Sequence, residues 1–426
     1  MKSFWSPRKG KHVNKTFNNI KVTLLCGFVT ILVLRGTIGM GGLRMPFSDL
    51  PIDLHQDFSA SFREANRVLS VLPESIDKND DEEDDDNDAN NVTSYNFLNY
   101  TLGPKISDWD VQLGTWRAQN VSSWHPQILL VTGSSSTPCE QPVGDHYLLK
   151  SIKNKMDYAR LHGLEIFYNM AELDDQLVGF WSKLPLLRRL MLAHPEIEWL
   201  WWMDSDAMFT DMAFELPIEK YKNHNLVLHG WEEDVYQKRA WVGLNTGSFV
   251  IRNCQWSLDL FDAWAPMGPK GKVRQEMGSV FSELLDGRPP FEADDQSALV
   301  YLLITQRELW ASKVFLENAY YLHGYWVNIV DKYEDLMLVS HNGYGDDRWP
   351  FVTHFVGCKP CGSQGDYSKD RCLKEMERAF NFGDNQILQT YGFAHKSLET
   401  SKVKKTKNDT TQPLVLVGNI QNELNP

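Results

Sequence analysis

The first 48 residues contain no aspartate or glutamate. They do carry Lys2, Arg8, Lys9, Lys11, Lys15, Lys21, Arg35 and Arg44, set around an apolar run from Val22 to Leu34. As a helix that run reaches only about 20 Å, short of the ~30 Å hydrocarbon core of a bilayer. Extended to Gly42, with Arg35 snorkelling to the far interface, it reads as one transmembrane anchor over 22–42. No small-x-small cleavage site follows closely, which argues against a cleaved signal peptide. The positive charge ahead of the run predicts a cytosolic tail over 1–21 and a lumenal remainder.

Cysteine is scarce, with six in 426 residues. Cys26 falls in the span and leaves Cys139, Cys254, Cys358, Cys361 and Cys372. In an oxidising lumen that odd number implies a free thiol or an intermolecular bridge. The one Cys-x-x-Cys, Cys358 to Cys361, has no second pair, so a structural zinc site is not expected and a disulfide involving these residues or Cys372 is. No long basic stripe occurs in the folded region, which argues against nucleic-acid binding. No internal repeat is present, which excludes a solenoid.

Acidic charge is concentrated instead. Nine acidic residues and one lysine lie between Asp77 and Asp88, and they account for −8 of the net charge of −13. Such a run buries too little apolar surface to fold and repels itself. Residues 43–106 therefore read as an extended acidic stem, and the folded domain is expected over 107–415 with a tail over 416–426. Sequons at Asn91, Asn99, Asn120 and Asn408 suit a lumenal domain.

The folded region opens with Ile128-Leu-Leu-Val-Thr132, a continuous apolar run that reads as a buried strand. Helical patterning follows from Tyr147 to His162, then a strand at Leu164–Tyr168, a helix at Trp181–His194 and a strand at Trp199–Met203. Further strands are expected at Leu226–His229 and Ser248–Arg252, and helices at Trp256–Trp264 and Gln296–Leu309. This alternation argues for an open α/β sheet.

Three motifs carry chemistry. The strand ending at Met203 runs into Asp204-Ser205-Asp206. If the backbone stays extended, both carboxylates share a face and can hold a hard divalent cation on a diphosphate. They could equally cap the following turn. Phe291-Glu-Ala-Asp294-Asp295-Gln296 leads into an apolar helix, where it could cap the helix or bind sugar hydroxyls. In Pro350-Phe-Val-Thr-His354-Phe-Val-Gly-Cys358-Lys359, His354 is either a core histidine or a third metal ligand, and Lys359 could neutralise a leaving diphosphate.

The runs Trp201–Pro217, Asn223–Val227, Leu244–Phe249 with Arg252–Leu258, Ala263–Gly271, Phe291–Ser297 and Thr353–Gly362 resemble the plant xyloglucan 6-xylosyltransferases, over about 107–415. The resemblance implies a GT-A-type open, mostly parallel sheet flanked by helices. It implies retaining transfer of xylose from UDP-xylose to O6 of glucose in a β-1,4-glucan. It implies Mn2+ or Mg2+ held by Asp204, Asp206 and His354. Thr132, Gly133, Ser134, Ser205, Asn245 and Ser248 would bind the donor, and Asp294, Asp295, Gln296 and Lys359 would line the reacting centre. The implied setting is the Golgi membrane, as a single-pass type II protein, in homo- or hetero-oligomers with paralogues. For retention, the acceptor attacks on the leaving-group face while the diphosphate takes its proton, or Asp294 or Asp295 forms a covalent sugar intermediate. The nearest alternative is the related galactomannan galactosyltransferases, which use UDP-galactose. A further alternative is a weakly active organising partner.

Overall fold

The computed structural model describes residues 98–120, 127–362 and 365–407, all within the compact unit Asp80–Pro426. The expected cytosolic tail, membrane span, acidic run and C-terminal tail lie outside the described residues. Among those described, no helix is long and apolar enough to cross a membrane.

The elements in chain order are α1 (Trp109–Gln119), β1 (Gln127–Gly133), α2 (Pro142–His162), β2 (Glu165–Asn169), α3 (Lys183–Ala193), β3 (Ile197–Met203) and β4 (Ala207–Phe209). Next come β5 (Leu226–Gly230), β6 (Leu244–Arg252), α4 (Gln255–Trp264), α5 (Lys272–Leu284), α6 (Asp295–Thr305) and β7 (Val314–Glu317). The last are α7 (Tyr333–Val339), β8 (Val352–His354), α8 (Lys369–Thr390), β9 (Phe393–His395) and β10 (Val403–Lys405).

Six strands form the main sheet in the order β2-β1-β3-β6-β5-β7. Only β6 runs antiparallel to its neighbours β3 and β5; the pairs β1–β2, β1–β3 and β5–β7 are parallel. The expected open, mostly parallel α/β sheet is therefore the observed one. Both faces of β3 are covered, which is why it reads as one apolar run. Leu200 and Trp202 pack into the cluster formed with α3, α4, α5 and α6. Trp199, Trp201 and Met203 pack on the other side with Tyr158 of α2, Phe209 of β4 and Val352 of β8.

Several boundaries differ from the sequence reading. The second helix starts earlier, at Pro142, because proline is pre-organised for a first helical turn. The element expected over Trp181–His194 divides into a 3-10 turn, Gly179–Ser182, and α3. The helix expected to reach Leu309 ends at Thr305. Strand β6 begins at Leu244 rather than Ser248. The stem boundary also needs correction. Leu98, Tyr100, Leu102 and Ile106 pack against the first core cluster, Tyr100 donates to Asp174 at 2.6 Å, and Arg188 donates to Pro104 O at 2.6 Å. Apolar anchors resume soon after the acidic run, so the folded domain includes residues 98–106.

Candidate active site

The site forms where β3 ends. Asp204 N donates to Gly247 O at 2.7 Å, and Ala207 N donates back to Asp204 O at 3.2 Å, so residues 204–207 turn instead of continuing the strand. The carboxylates do not converge by strand alternation, as the extended reading required. They converge through this turn. β4 then pairs antiparallel with β8, in a register that sets Ala207 opposite His354, a sequence separation of 147.

That pairing brings one ligand atom each of Asp204, Asp206 and His354 within 4.8 Å of one another. His354 Nε2 lies 3.1 Å from Asp206 Oδ1 and 3.8 Å from Asp204 Oδ2. Two carboxylate oxygens and one imidazole nitrogen make a donor set for a divalent cation. Gly247 gives a structural test of the fit. A Cβ there would lie 2.1 Å from His354 Cε1 and 2.9 Å from Asp204 Oδ2, so the imidazole reaches the carboxylates only because residue 247 has no side chain. The group can hold a divalent cation.

Two residues that the sequence reading passed over support this cluster. His323 Nδ1 lies 2.8 Å from His354 Nδ1. Burial keeps His323 neutral, pushing it well below the ordinary histidine range, with His354 and His229 adding to the effect. Were His354 to hold a cation through Nε2, its Nδ1 would carry the proton and donate to His323, which would fix the ring. Lys183 on α3 is fully enclosed. Its Nζ lies 2.9 Å from Asp295 and 3.4 Å from Asp204 and donates to Thr246 O at 3.0 Å. Burial pushes the Asp295 carboxyl up and, acting alone, would push the Lys183 ammonium down. Asp204 and Asp295 together hold Lys183 above its ordinary value, and we read the pair as ionised.

The remaining candidates divide. Gly133, Ser134, Ser205 and Lys359 line a cleft of roughly 580 Å3 with Asp204 and Asp206, a size that suits a small organic ligand. Ser134 shares a hydrogen bond with Tyr168 Oη at 2.7 Å, and Ser134 N donates to Asn169 O at 3.0 Å. Gly133 is required there, since a Cβ would meet Asn169 O at 2.6 Å. Thr132 is buried in β1. Ser248 is also fully buried, and its Oγ accepts from Trp201 Nε1 at 3.3 Å, so it does not face the cleft as expected. Asn245 donates to Gln296 at 3.1 Å and accepts from Gly247 N at 2.8 Å. Gln296 in turn donates to Trp241 O. Asp294 takes the capping role: Oδ1 accepts from Ser297 N at 2.7 Å and Oδ2 from Arg288 at 3.0 Å. Both of its oxygens are engaged, while Asp295 is turned toward Lys183 and Asp204.

Lys359 stands exposed between two disulfides, Cys139–Cys361 and Cys358–Cys372. Cys254 is the free thiol among the described residues, as the odd count implied. Of the sequons, Asn99 is exposed, and Asn120 is half-buried with its amide donating to Trp116 O at 2.8 Å. Asn91 and Asn408 lie outside the described residues.

Residues 124–365 match the family model described as the galactosyl transferase GMA12/MNN10 family. The chain is 59% identical to xyloglucan 6-xylosyltransferase 2 of Arabidopsis thaliana over 428 residues, covering 95% of this chain and 93% of that one. It is 58% identical to xyloglucan 6-xylosyltransferase 1 of the same plant, covering 92% and 90%. It is 56% identical to probable glycosyltransferase 2 of Oryza sativa subsp. indica, covering 95% and 88%. Among solved structures, a glycosyltransferase involved in the glycosylation of the major capsid of PBCV-1 overlaps 59% of this chain and 99% of its own at 16% identity, with a TM-score of only 0.38.

Proposed function

This chain belongs to the galactosyl transferase GMA12/MNN10 family and is a glycosyltransferase, and we propose that it transfers xylose from UDP-xylose to O6 of glucose in a β-1,4-glucan, with retention of configuration. The observation that carries the reading is the convergence of Asp204, Asp206 and His354, two of which line a cleft together with Lys359. The relatives' names supply the sugar and the acceptor.

In this reading Asp204, Asp206 and His354 hold Mn2+ or Mg2+, which as a Lewis acid would offset charge on the donor diphosphate. Ser134 and Ser205 bind the nucleotide side of the donor. Lys359 meets the departing diphosphate, where negative charge grows in the transition state. Gln296, fixed by Asn245 and Trp241, and Asp295, fixed by Lys183, orient the donor sugar. Asp294 keeps its capping role. The two bonds on its carboxylate favour attack by the acceptor from the leaving-group face over a covalent sugar adduct on that residue. In that attack the acceptor O6 bonds to the anomeric carbon, the bond to diphosphate breaks, and the O6 proton passes to a diphosphate oxygen.

The proposed setting is the Golgi lumen, behind the N-terminal anchor, in an oligomer with paralogues. Two disulfides suit an oxidising compartment. A donor and acceptor screen tests the function. Purified protein with Mn2+ is offered UDP-xylose, UDP-galactose and UDP-glucose, each with cello- and manno-oligosaccharides. The expected product is cello-oligosaccharide heavier by one pentose. A hexose on manno-oligosaccharide would move the protein to galactomannan synthesis. No product from folded protein that binds UDP would favour an organising role.

A further inference from the structure

β4 is a three-residue strand with a strand partner, β8, along one edge. Side chains from one face of α2 meet the other edge. Asn154 Nδ2 donates to Phe209 O at 2.8 Å, and Phe209 N donates to Asn154 Oδ1 at 2.7 Å. One position on, Lys155 Nζ donates to Ala207 O at 2.6 Å and to Ser151 Oγ at 2.7 Å. Ser151 Oγ donates to Ser205 O at 2.5 Å. Residues 151, 154 and 155 stand at i, i+3 and i+4 on one helix face. Together they supply along 205–209 the bonds that a further strand would have supplied.

We propose that Lys155, seated on Ser151, is a positioning residue that fixes the Ser205–Ala207 backbone so that Asp204 and Asp206 face a single cation. The proposal rests on reading that turn as a metal site.

The residue type is the informative point. Lys155 has no exposed surface. Among the ion pairs of the described residues, none includes it. A buried ammonium without a contacting carboxylate is costly, and a neutral donor could satisfy Ala207 O more cheaply. Burial pushes Lys155 down to about 7, partly opposed by Asp206 and Asp204, and either as amine or as ammonium its Nζ can donate to both Ala207 O and Ser151 Oγ. The donors on Ser205 O and Ala207 O hold the two carbonyls on either side of Asp206 and so fix the turn that carries both carboxylates. Lys155 touches neither donor nor metal in this scheme and acts through the turn.

The test compares wild type, Lys155→Met and Ser151→Ala. Mn2+ binding is titrated by electron paramagnetic resonance in the presence of UDP, and thermal unfolding is followed without metal. Lys155→Met is expected to weaken Mn2+ at least tenfold, and Ser151→Ala about threefold. The metal-free unfolding midpoint of Lys155→Met is expected to fall by only a few degrees, because the lost donor to Ala207 O is offset in part by removing a polar group that is costly to bury. Unchanged Mn2+ affinity in both variants would overturn the positioning role. So would a loss of affinity that tracks an equal loss of thermal stability, since that is the signature of packing alone. If Lys155→Met does not fold, Ser151→Ala decides. Should wild type itself bind no Mn2+, the metal-site reading fails and this inference with it; tight wild-type binding with unaffected variants removes only the inference.

Discussion

Asp294 and Asp295 are adjacent in sequence and have different partners. Asp294 caps α6 and pairs with Arg288, and Asp295 pairs with the buried Lys183. Asparagine caps a helix about as well as aspartate. Asp294→Asn should therefore keep transfer within about tenfold of wild type, whereas a nucleophile replaced by an amide loses on the order of 10^3 or more. Initial-rate assays on the two proteins separate the roles. Gly247→Ala is expected to abolish metal-dependent transfer while the domain still folds, because the added Cβ takes the space of His354 Cε1. Circular dichroism together with activity checks both halves of that expectation. Asp204 and Asp206 stood out in sequence because an apolar strand runs straight into them, whereas His354 and Lys359 took their expected roles from the family resemblance, since a histidine between apolar residues is more often a core residue. Lys183, Lys155 and His323 were not legible. A lysine inside an apolar helix reads as a snorkelling surface residue, and only the packing shows that its head is enclosed.

At the scale of elements, the site depends on β4 and β8, two three-residue strands too short to announce themselves in sequence. Their pairing was not legible because nothing local links residues so far apart. The turn at 204–207 likewise overrode the extended geometry that strand alternation suggested. The segment carrying Lys359 is held in another way, by covalent bonds on both sides. In the chain-entropy model the Cys139–Cys361 bridge, with a sequence separation of 222, stabilises by about 5 kcal/mol. The Cys358–Cys372 bridge, with a separation of 14, gives about 3 kcal/mol. The double change Cys139→Ser and Cys361→Ser should thus lower the unfolding free energy more than Cys358→Ser with Cys372→Ser. Both pairs should reduce kcat by freeing Lys359. Denaturant titrations and steady-state kinetics read the two effects.

At the scale of the molecule, the sheet class was legible from alternating apolar runs, but the reversed direction of β6 was not, since one apolar run looks the same in either direction. The whole fold also carries buried histidines near the site. Burial pushes His229 down to about 4. The unfolded chain takes up that proton near 6.5, the folded chain only near 4, so between those values the unfolded state binds more protons. Stability should fall as pH drops through that window, by up to about 3 kcal/mol from this ring alone. A His229→Gln variant should show a flatter loss between pH 6.5 and 4, measured by urea unfolding at each pH. Metal-dependent, retaining xylosyl transfer is read most directly by proton NMR of the product made from UDP-xylose and cellohexaose with Mn2+. The expected product carries a single α-linked pentose on O6 of glucose, and none forms once EDTA is added. A β-linked pentose, or transfer that persists in EDTA, would contradict that reading.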